Sequence, residues 1–279
     1  MSDAPRPPVI TLLTDYGTAD EFVGVLHGVI ARICPQAHVI DLSHGVPPQD
    51  VRAGAARLLQ ALPYTPVGVH VAIVDPTVGG DRRAVALRLA EGRILVGPDN
   101  GLLWPAAAAG GGVAQAREIS ASPWRLQPVS ATFHGRDIFA PVAAHLAAGE
   151  PLEGGGATFD PVTLVRLEAP AASADAGTLI ATAVAIDGFG NVQLGATADQ
   201  LNAAIGDALQ VEALQVDADS RVTLPAAYVR TFGDVGEGQL LVLSDSSRQL
   251  ALALNRGNAA ARLSLRPGDQ VRIGLAHQP

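Results

Sequence analysis

Apolar and polar positions alternate between strand and helix periods over the first half of the chain and mark a succession of short strands over the second. Residues 9–13 form an apolar run that ends in Thr14-Asp15-Tyr16-Gly17, which puts a carboxylate at the carboxyl end of a predicted strand. Thr18-Ala19-Asp20-Glu21 has the Thr-x-x-Glu form of a capping box. Phe22, Val25, Leu26, Val29, Ile30 and Ile33 then recur on one helical face. That start places Asp20 in the first turn, in favourable interaction with the helix dipole. Residues 38–42 read as a second strand, and 50–62 as a second helix with Val51, Leu58, Leu59 and Leu62 inward. Residues 67–83 carry the third strand, an apolar run that delivers Asp75 to a turn. Gly79 and Gly80 let the chain fold back there, so that Arg82 can set its guanidinium beside that carboxylate. This order predicts an α/β domain with a mainly parallel sheet flanked by helices, whose ligands bind beyond the carboxyl ends of the strands.

Residues 84–89 and 93–96 read as a hairpin across Glu91-Gly92, and 97–101 as a turn cluster. The small-residue tract 106–112 reads as a loop. Around Thr132-Phe133-His134-Gly135-Arg136-Asp137 the chain turns into a helix carrying Ile138, Phe139, Val142 and Leu146. Pro, Gly, Ala and acidic residues dominate 149–177. The expected division is therefore an α/β domain over 1–168, a linker over 169–177 and a second domain over 178–279. In that second domain strands are expected at 178–186, 191–194, 209–216, 239–243, 249–254 and 270–273, with one short helix at 198–205. Many short strands between Gly and Pro turns predict a small β-barrel.

Composition narrows the chemistry. The chain has 279 residues, 48% of them hydrophobic and 16% charged, and a net charge of −8 without a basic cluster, which argues against nucleic acid or anionic membrane as the partner. The first residues, Met-Ser-Asp-Ala-Pro-Arg-Pro-Pro, lack a charged-then-apolar leader, and no apolar run approaches the roughly 20 residues of a membrane span, so a cytoplasmic protein is expected. Cys34, the sole cysteine, falls in the first predicted helix and excludes an intrachain disulfide and a thiolate cluster. All 19 basic residues are arginine, which removes Schiff-base chemistry and the phosphate loop ending in Gly-Lys-Ser/Thr. Asp, Arg, His, hydroxyls and backbone remain to carry any reaction.

Five motifs, in order and across nearly the whole chain, resemble one family. They are Thr14-Asp15-Tyr16-Gly17, Asp75-Pro76-x-Val78-Gly79 with Arg82, Phe133-His134-Gly135-Arg136-Asp137, Asp187-Gly188-Phe189-Gly190-Asn191 and Asn255-Arg256-Gly257-Asn258-Ala259-Ala260. The chain resembles the S-adenosyl-L-methionine (SAM) hydroxide adenosyltransferases, adenosine-forming SAM hydrolases related to the fluorinating and chlorinating enzymes that use SAM. The resemblance implies hydrolysis of SAM to adenosine and L-methionine by attack of water on C5′ of the ribose. It implies a homotrimer with sites between the first domain of one subunit and the second domain of the next. It implies Asp75, Arg82 and His134 as the catalytic trio, with Asp15 binding the ribose diol and Asp20 and Asp187 near the methionine part. Ser246 falls near the methionine carboxylate, and Asn191 with the Asn258-Ala259 backbone on the adenine side. Ser246-Ser247-Arg248 departs from the hydroxyl, apolar, Gly pattern usual there. The halogenating relatives carry other residues where this chain has Asp75 and His134, which points to the water-using branch.

The residue types suit that chemistry. A sulfonium leaves as a neutral thioether, so no metal and no cofactor is expected, SAM itself being the substrate. Water, a poor nucleophile, needs a proton acceptor and in-line orientation. Rival readings are a SAM methyltransferase, whose first strand normally opens into a glycine-rich turn, and a SAM-dependent halogenase. A metal-dependent hydrolase using Asp15, Asp41, His44, Asp75 and His134 lacks a recognised ligand spacing. A non-catalytic SAM- or adenosine-binding protein would have no use for Asp75, Arg82 and His134 together.

Overall fold

The β1 strand (Val9–Thr14), all but one of its side chains buried, lies one strand in from the edge of a sheet that the rest of the first unit covers. The computed structural model describes residues 7–168, 170–175, 177–214 and 222–276, and the chain divides into two units, Met1–Glu168 and Ala169–Pro279. In the first, α1 (Phe22–Ile33), β2 (His38–Ser43), α2 (Val51–Ala61), β3 (Val69–Ile73), β4 (Ala84–Leu89), β5 (Ile94–Pro98), α3 (Trp104–Ala109), β6 (Val113–Glu118), α4 (Ala140–Ala147) and β7 (Ala157–Thr158) follow β1. The seven strands take the order β2-β1-β3-β5-β4-β6-β7. The first four are mutually parallel, and the β4, β6 and β7 pairings are antiparallel.

Alternation along the strands sends side chains to two cores. Ile10, Leu12, Val71 and Ile73 meet Leu26 and Ile30 of α1 and Val142 of α4, with Phe139 between. Leu13, Ala72 and Val74 meet Leu58 of α2 and Ala106 and Ala107 of α3 on the other face. The register that pairs Thr14 with Ile73 brings the ends of β1 and β3, and so Asp15 and Asp75, to the same edge of the sheet.

Several local expectations change. Glu21 occupies the N-cap of α1 in helical geometry with no side-chain cap bond, so the Thr18 capping box does not form and Asp20 precedes the helix. Cys34 lies just past α1, buried. Asp50 caps α2 by accepting from Ala53 N, and the inward face is Ala53, Gly54, Ala55 and Leu58; Leu59, about 100° further round, is 37% exposed. The tract read as a loop at 106–112 is in part α3: alanine is the strongest helix former, Pro105 suits a first turn, and the run stops at Gly110-Gly111-Gly112.

The second unit holds β8 (Ser173–Asp175), β9 (Thr178–Ile186), β10 (Val192–Thr197), β11 (Ala208–Leu214), β12 (Val222–Tyr228), β13 (Leu240–Ser244), β14 (Gln249–Leu254), α5 (Ala259–Leu263) and β15 (Gln270–Leu275). Strands run β10-β14-β13-β12-β11-β15-β9-β8, and a β10–β9 pairing closes β9 through β15 into a seven-stranded barrel. Its interior takes every second residue, such as Leu179, Ala181 and Ala183 or Leu209, Val211 and Ala213, and α5 adds Ala259, Ala260 and Leu263. Part of the expected linker, β8, pairs with β9; residues 169 and 176 of that linker lie outside the described residues, as do 215 and 216 of the strand expected at 209–216, the first six residues and the last three. The helix expected at 198–205 is a single 3-10 turn, Ala198–Gln200, closed by a capping box between Thr197 and Gln200. No helix among the described residues is long and apolar enough to cross a membrane.

His70 in β3 is fully buried, with Nδ1 3.0 Å from Thr11 Oγ1. Burial, helped by Arg93, pulls its pKa from the ordinary 6.5 down to about 4. The folded chain thus binds this proton more weakly than the unfolded one. The stability linked to His70 is complete above pH 6.5 and is lost as pH falls towards 4, a change of about 3 kcal/mol at most. Urea denaturation at pH 7 and pH 4.5 should show the loss, and His70→Gln should shrink the difference. An equal pH dependence in the variant would assign the acid sensitivity elsewhere.

Candidate active site

Asp75 stands two residues beyond β3, and Arg82 returns to it across the 75–82 loop. Arg82 Nε donates to Asp75 Oδ1 at 3.1 Å and Oδ2 at 2.9 Å, and Nη2 donates to Oδ2 at 2.5 Å. Both side chains are nearly withdrawn from solvent, at 5% exposure for Asp75 and 7% for Arg82. A charge-assisted, forked pair of this kind holds the carboxylate in one orientation. The same Nη2 donates to His134 Nδ1 at 2.8 Å, so arginine stands between carboxylate and imidazole. The sequence expectation of an arginine beside Asp75 is met, with a second bond the spacing did not reveal. The Phe139 ring lies 5.4 Å from the Arg82 guanidinium carbon.

A histidine whose Nδ1 accepts from arginine is neutral, with its proton on Nε2. Burial and then Arg82 push the His134 pKa below its ordinary value, against Asp75 and Asp137, which raise it. Two close backbone approaches make the meeting possible. Gly79 has φ +79°, and a Cβ there would lie 2.2 Å from Ala131 O, on the segment leading to His134. A Cβ on Gly135 would lie 2.5 Å from the Tyr16 hydroxyl. Neither site admits a side chain without displacement.

Asp137 anchors the His134 segment from behind. It is buried, accepts from Ser130 N at 2.8 Å, and takes Arg136 Nε at 2.6 Å and Nη2 at 2.9 Å. Burial opposes its charge, but the bonds from Arg136 and Ser130 outweigh this and hold its carboxyl below the usual range. A single π-helical turn, Gly135–Phe139, then leads into α4. Tyr16, Phe22 and Phe133 pack edge to face with centroids 5.2–6.0 Å apart. Burial, with Asp15 and then Asp75 nearby, raises the Tyr16 pKa well above its ordinary value, so the phenol stays protonated. Tyr16 and Asp137 were missed as supports, although both lie inside motifs already singled out; their burial is not visible in the string.

Asp15 follows β1 and its Oδ2 accepts from Gln49 N at 2.8 Å, Gln49 itself being left-handed at φ +66°. Asp20 is exposed on the turn before α1, and nothing among the described residues bonds it to the Asp75 cluster. Arg83 turns away to Asp99 and to Thr163, so one of the two consecutive arginines serves the fold. Asp41, within β2, and His44, just beyond it, lie 3.0 Å apart. Among the described residues no group of three His, Cys, Asp or Glu could hold a metal ion.

In the second unit, Asp187, Asn191, Asn258 and Ala259 come together. Asp187 Oδ1 accepts from Phe189 N and Asn191 N, both at 2.9 Å, and Oδ2 accepts from Asn191 Nδ2 at 2.8 Å. Its carboxylate therefore shapes the 187–191 turn, a use the sequence reading did not include. Asn258 caps α5 by accepting from Ala261 N at 2.7 Å, and Ala260 N donates to Gly190 O at 2.9 Å. Gly190 has φ +84°, and a Cβ there would overlap the Asn258 amide at 2.1 Å. Ser246 sits apart on the β13–β14 hairpin, where Asp245 accepts from Ser247 N, Gln249 N and Gln193 Nε2. Arg248 takes φ +64° in that turn, the conformation a glycine would adopt without strain.

Family models for the SAM hydroxide adenosyltransferase N-terminal and C-terminal domains match residues 10–156 and 181–272. An (R)-S-adenosyl-L-methionine hydrolase from Salinispora tropica is 52% identical over 266 residues, covering 95% of this chain and 97% of the relative. A fluorinase from Actinopolyspora mzabensis is 31% identical over 303 residues, covering 98% and 99%. The crystal structure of a conserved protein from Thermotoga maritima, 37% identical, superposes with a TM-score of 0.86 over 95% of this chain and 99% of that one.

Proposed function

The chain belongs to the SAM hydroxide adenosyltransferase family, and from that membership we infer that it hydrolyses SAM to adenosine and L-methionine. The observation that carries the chemistry is Arg82 donating at once to Asp75 and His134. With Nδ1 occupied, His134 offers Nε2–H. A water receiving that bond keeps its other lone pair for C5′ and turns its protons towards Asp75. Asp75 is then the proton acceptor and His134 the orienting donor, while Arg82 holds both in place. The sulfonium departs as a neutral thioether and requires neither general acid nor metal.

The remaining residues complete the reading. Asp15, with lone pairs left beyond its bond from Gln49, accepts from the ribose diol. Asn191 gives its amide N–H to Asp187 and keeps an oxygen to accept from the adenine amine, and the Ala259 N–H at the start of α5 donates to a ring nitrogen. Asp20 and Ser246 take the methionine end, while Asp187, bonded to Asn191, holds the turn that presents Asn191 rather than the methionine. The second unit of a neighbouring chain in a homotrimer supplies the C-terminal half of each site. Mixing Asp75→Ala with an Asn191→Ala, Asn258→Ala double variant should restore activity at about a quarter of sites in a head-to-tail ring. A silent mixture with confirmed subunit exchange would place each site within one chain. SAM is charged and crosses membranes poorly, so its hydrolase belongs in the cytoplasm where SAM is made.

Incubating the purified protein with SAM should release adenosine at a rate unchanged by chelator. Loss with chelator and recovery with a divalent cation would favour a metal hydrolase. A 5′-halo-5′-deoxyadenosine formed in high chloride or fluoride would favour a halogenase, and ligand binding without product a sequestering protein.

A further inference from the structure

We propose that His44, oriented by Asp41, is the positioning residue that fixes the ribose-binding turn Thr14–Gly17 through the Thr14 hydroxyl. This rests on the reading of Asp15 as the ribose ligand.

Tyr16 N donates to Thr14 Oγ1 at 3.1 Å, and Thr14 Oγ1 lies 2.9 Å from His44 Nδ1. The hydroxyl takes the Tyr16 N–H on one lone pair and keeps a second lone pair and its own proton, so the direction of its bond to His44 is set by the imidazole tautomer. The Asp41 carboxylate can only accept, so Nδ1 accepts from Thr14 and the neutral imidazole carries its proton on Nε2. That nitrogen faces Asp41 Oδ1 at 3.0 Å, close but off the line of an ideal bond. His27 Nε2 from α1 reaches the same carboxylate at 2.9 and 3.2 Å. Burial opposes the Asp41 charge, but His44 beside it and the bonds from His27 outweigh this and keep the carboxyl below its ordinary range.

The backbone repeats the attachment. Gly17 N donates to His44 O at 2.8 Å, and Val46 N to Thr14 O at 3.4 Å. Thr14 is fully buried and His44 nearly so, which makes an unpaired partner costly. Asp15 thus projects from a turn clamped on both sides: by the His44 segment through Thr14 and Gly17, and by Gln49 N at its own carboxylate. The Asp41 carboxylate selects the tautomer, and the direction of the Thr14–His44 bond follows from it. None of these atoms is required to touch SAM.

Thr14→Val keeps the volume and deletes the hydroxyl. It should raise the dissociation constant for adenosine about tenfold while kcat stays within about threefold. Thr14→Ser should restore wild-type affinity. His44→Phe should match Thr14→Val, and the double variant should be no worse than either, since both remove one link of the same chain. Tyr16 amide exchange should quicken in Thr14→Val. Faster exchange with unchanged adenosine affinity would show a merely structural bond and overturn the proposal, as would additive losses in the double variant. Wild-type protein that neither binds adenosine nor releases it from SAM would instead bring down the functional reading, and with it this role.

Discussion

Asp75→Asn is expected to lower kcat by about 10²–10⁴-fold while leaving the affinity for adenosine within about threefold. Asparagine has nearly the shape of aspartate and keeps an oxygen for Arg82 Nε, so the bond at 2.9–3.1 Å can persist and the 75–82 loop keeps its course. What disappears is the charge and the capacity to take a proton from water. Because His134 Nδ1 already accepts from Arg82, the imidazole cannot replace that function without breaking its bond. Steady-state kinetics with SAM and calorimetry with adenosine separate the two quantities. A kcat within tenfold of wild type would show that Asp75 is a structural partner of Arg82 and that the acceptor lies elsewhere.

Arg82→Ala should be the most damaging substitution to stability at the site, at about 3–5 kcal/mol, because it strands a carboxylate that is 5% exposed. It should also change the pH profile. Burial and Arg82 lower the His134 pKa in the intact protein, so the ring stays neutral to below the ordinary 6.5. Without Arg82 the pKa rises, the ring gains its proton at higher pH, and the acid limb of residual activity moves upward. Chemical denaturation and a pH–rate profile read these effects independently. Stability within 1 kcal/mol of wild type, or an acid limb that stays in place, would mean that Arg82 neither neutralises Asp75 nor holds His134.

The main elements were legible in the string because burial writes itself into periodicity. The run through Val69–Ile73 is buried at every position, and apolar at all but His70, since β3 is covered on both faces, and it could be read as a strand ending near Asp75. The helical spacing of Leu26, Val29 and Ile30 marked the buried stripe of α1 for the same reason. Where local chemistry competed, the string misled: Glu21 displaced the Thr18 cap, Leu59 turned outward, and the alanines of 104–109 followed their propensity. The β12 strand was overlooked because Pro225 interrupts it, and the barrel tolerates that proline because β13 pairs only with Ala226 to Tyr228.

Motif residues could likewise be nominated from the sequence, but not joined. By itself the chain determined which residue types were present for chemistry, with no lysine and one cysteine, and that carboxylates follow the first and third strands. Only the tertiary structure decided that Arg82 stands between Asp75 and His134 while Arg83 leaves for Asp99, that Asp187 is taken up by its own turn, and that His44 holds Thr14. Periodicity reports which face of an element is buried, an average over many weak apolar contacts. A hydrogen bond between residues 52 apart depends on a few tenths of an ångström at Gly79 and Gly135, and that distance exists only once the sheet register is set.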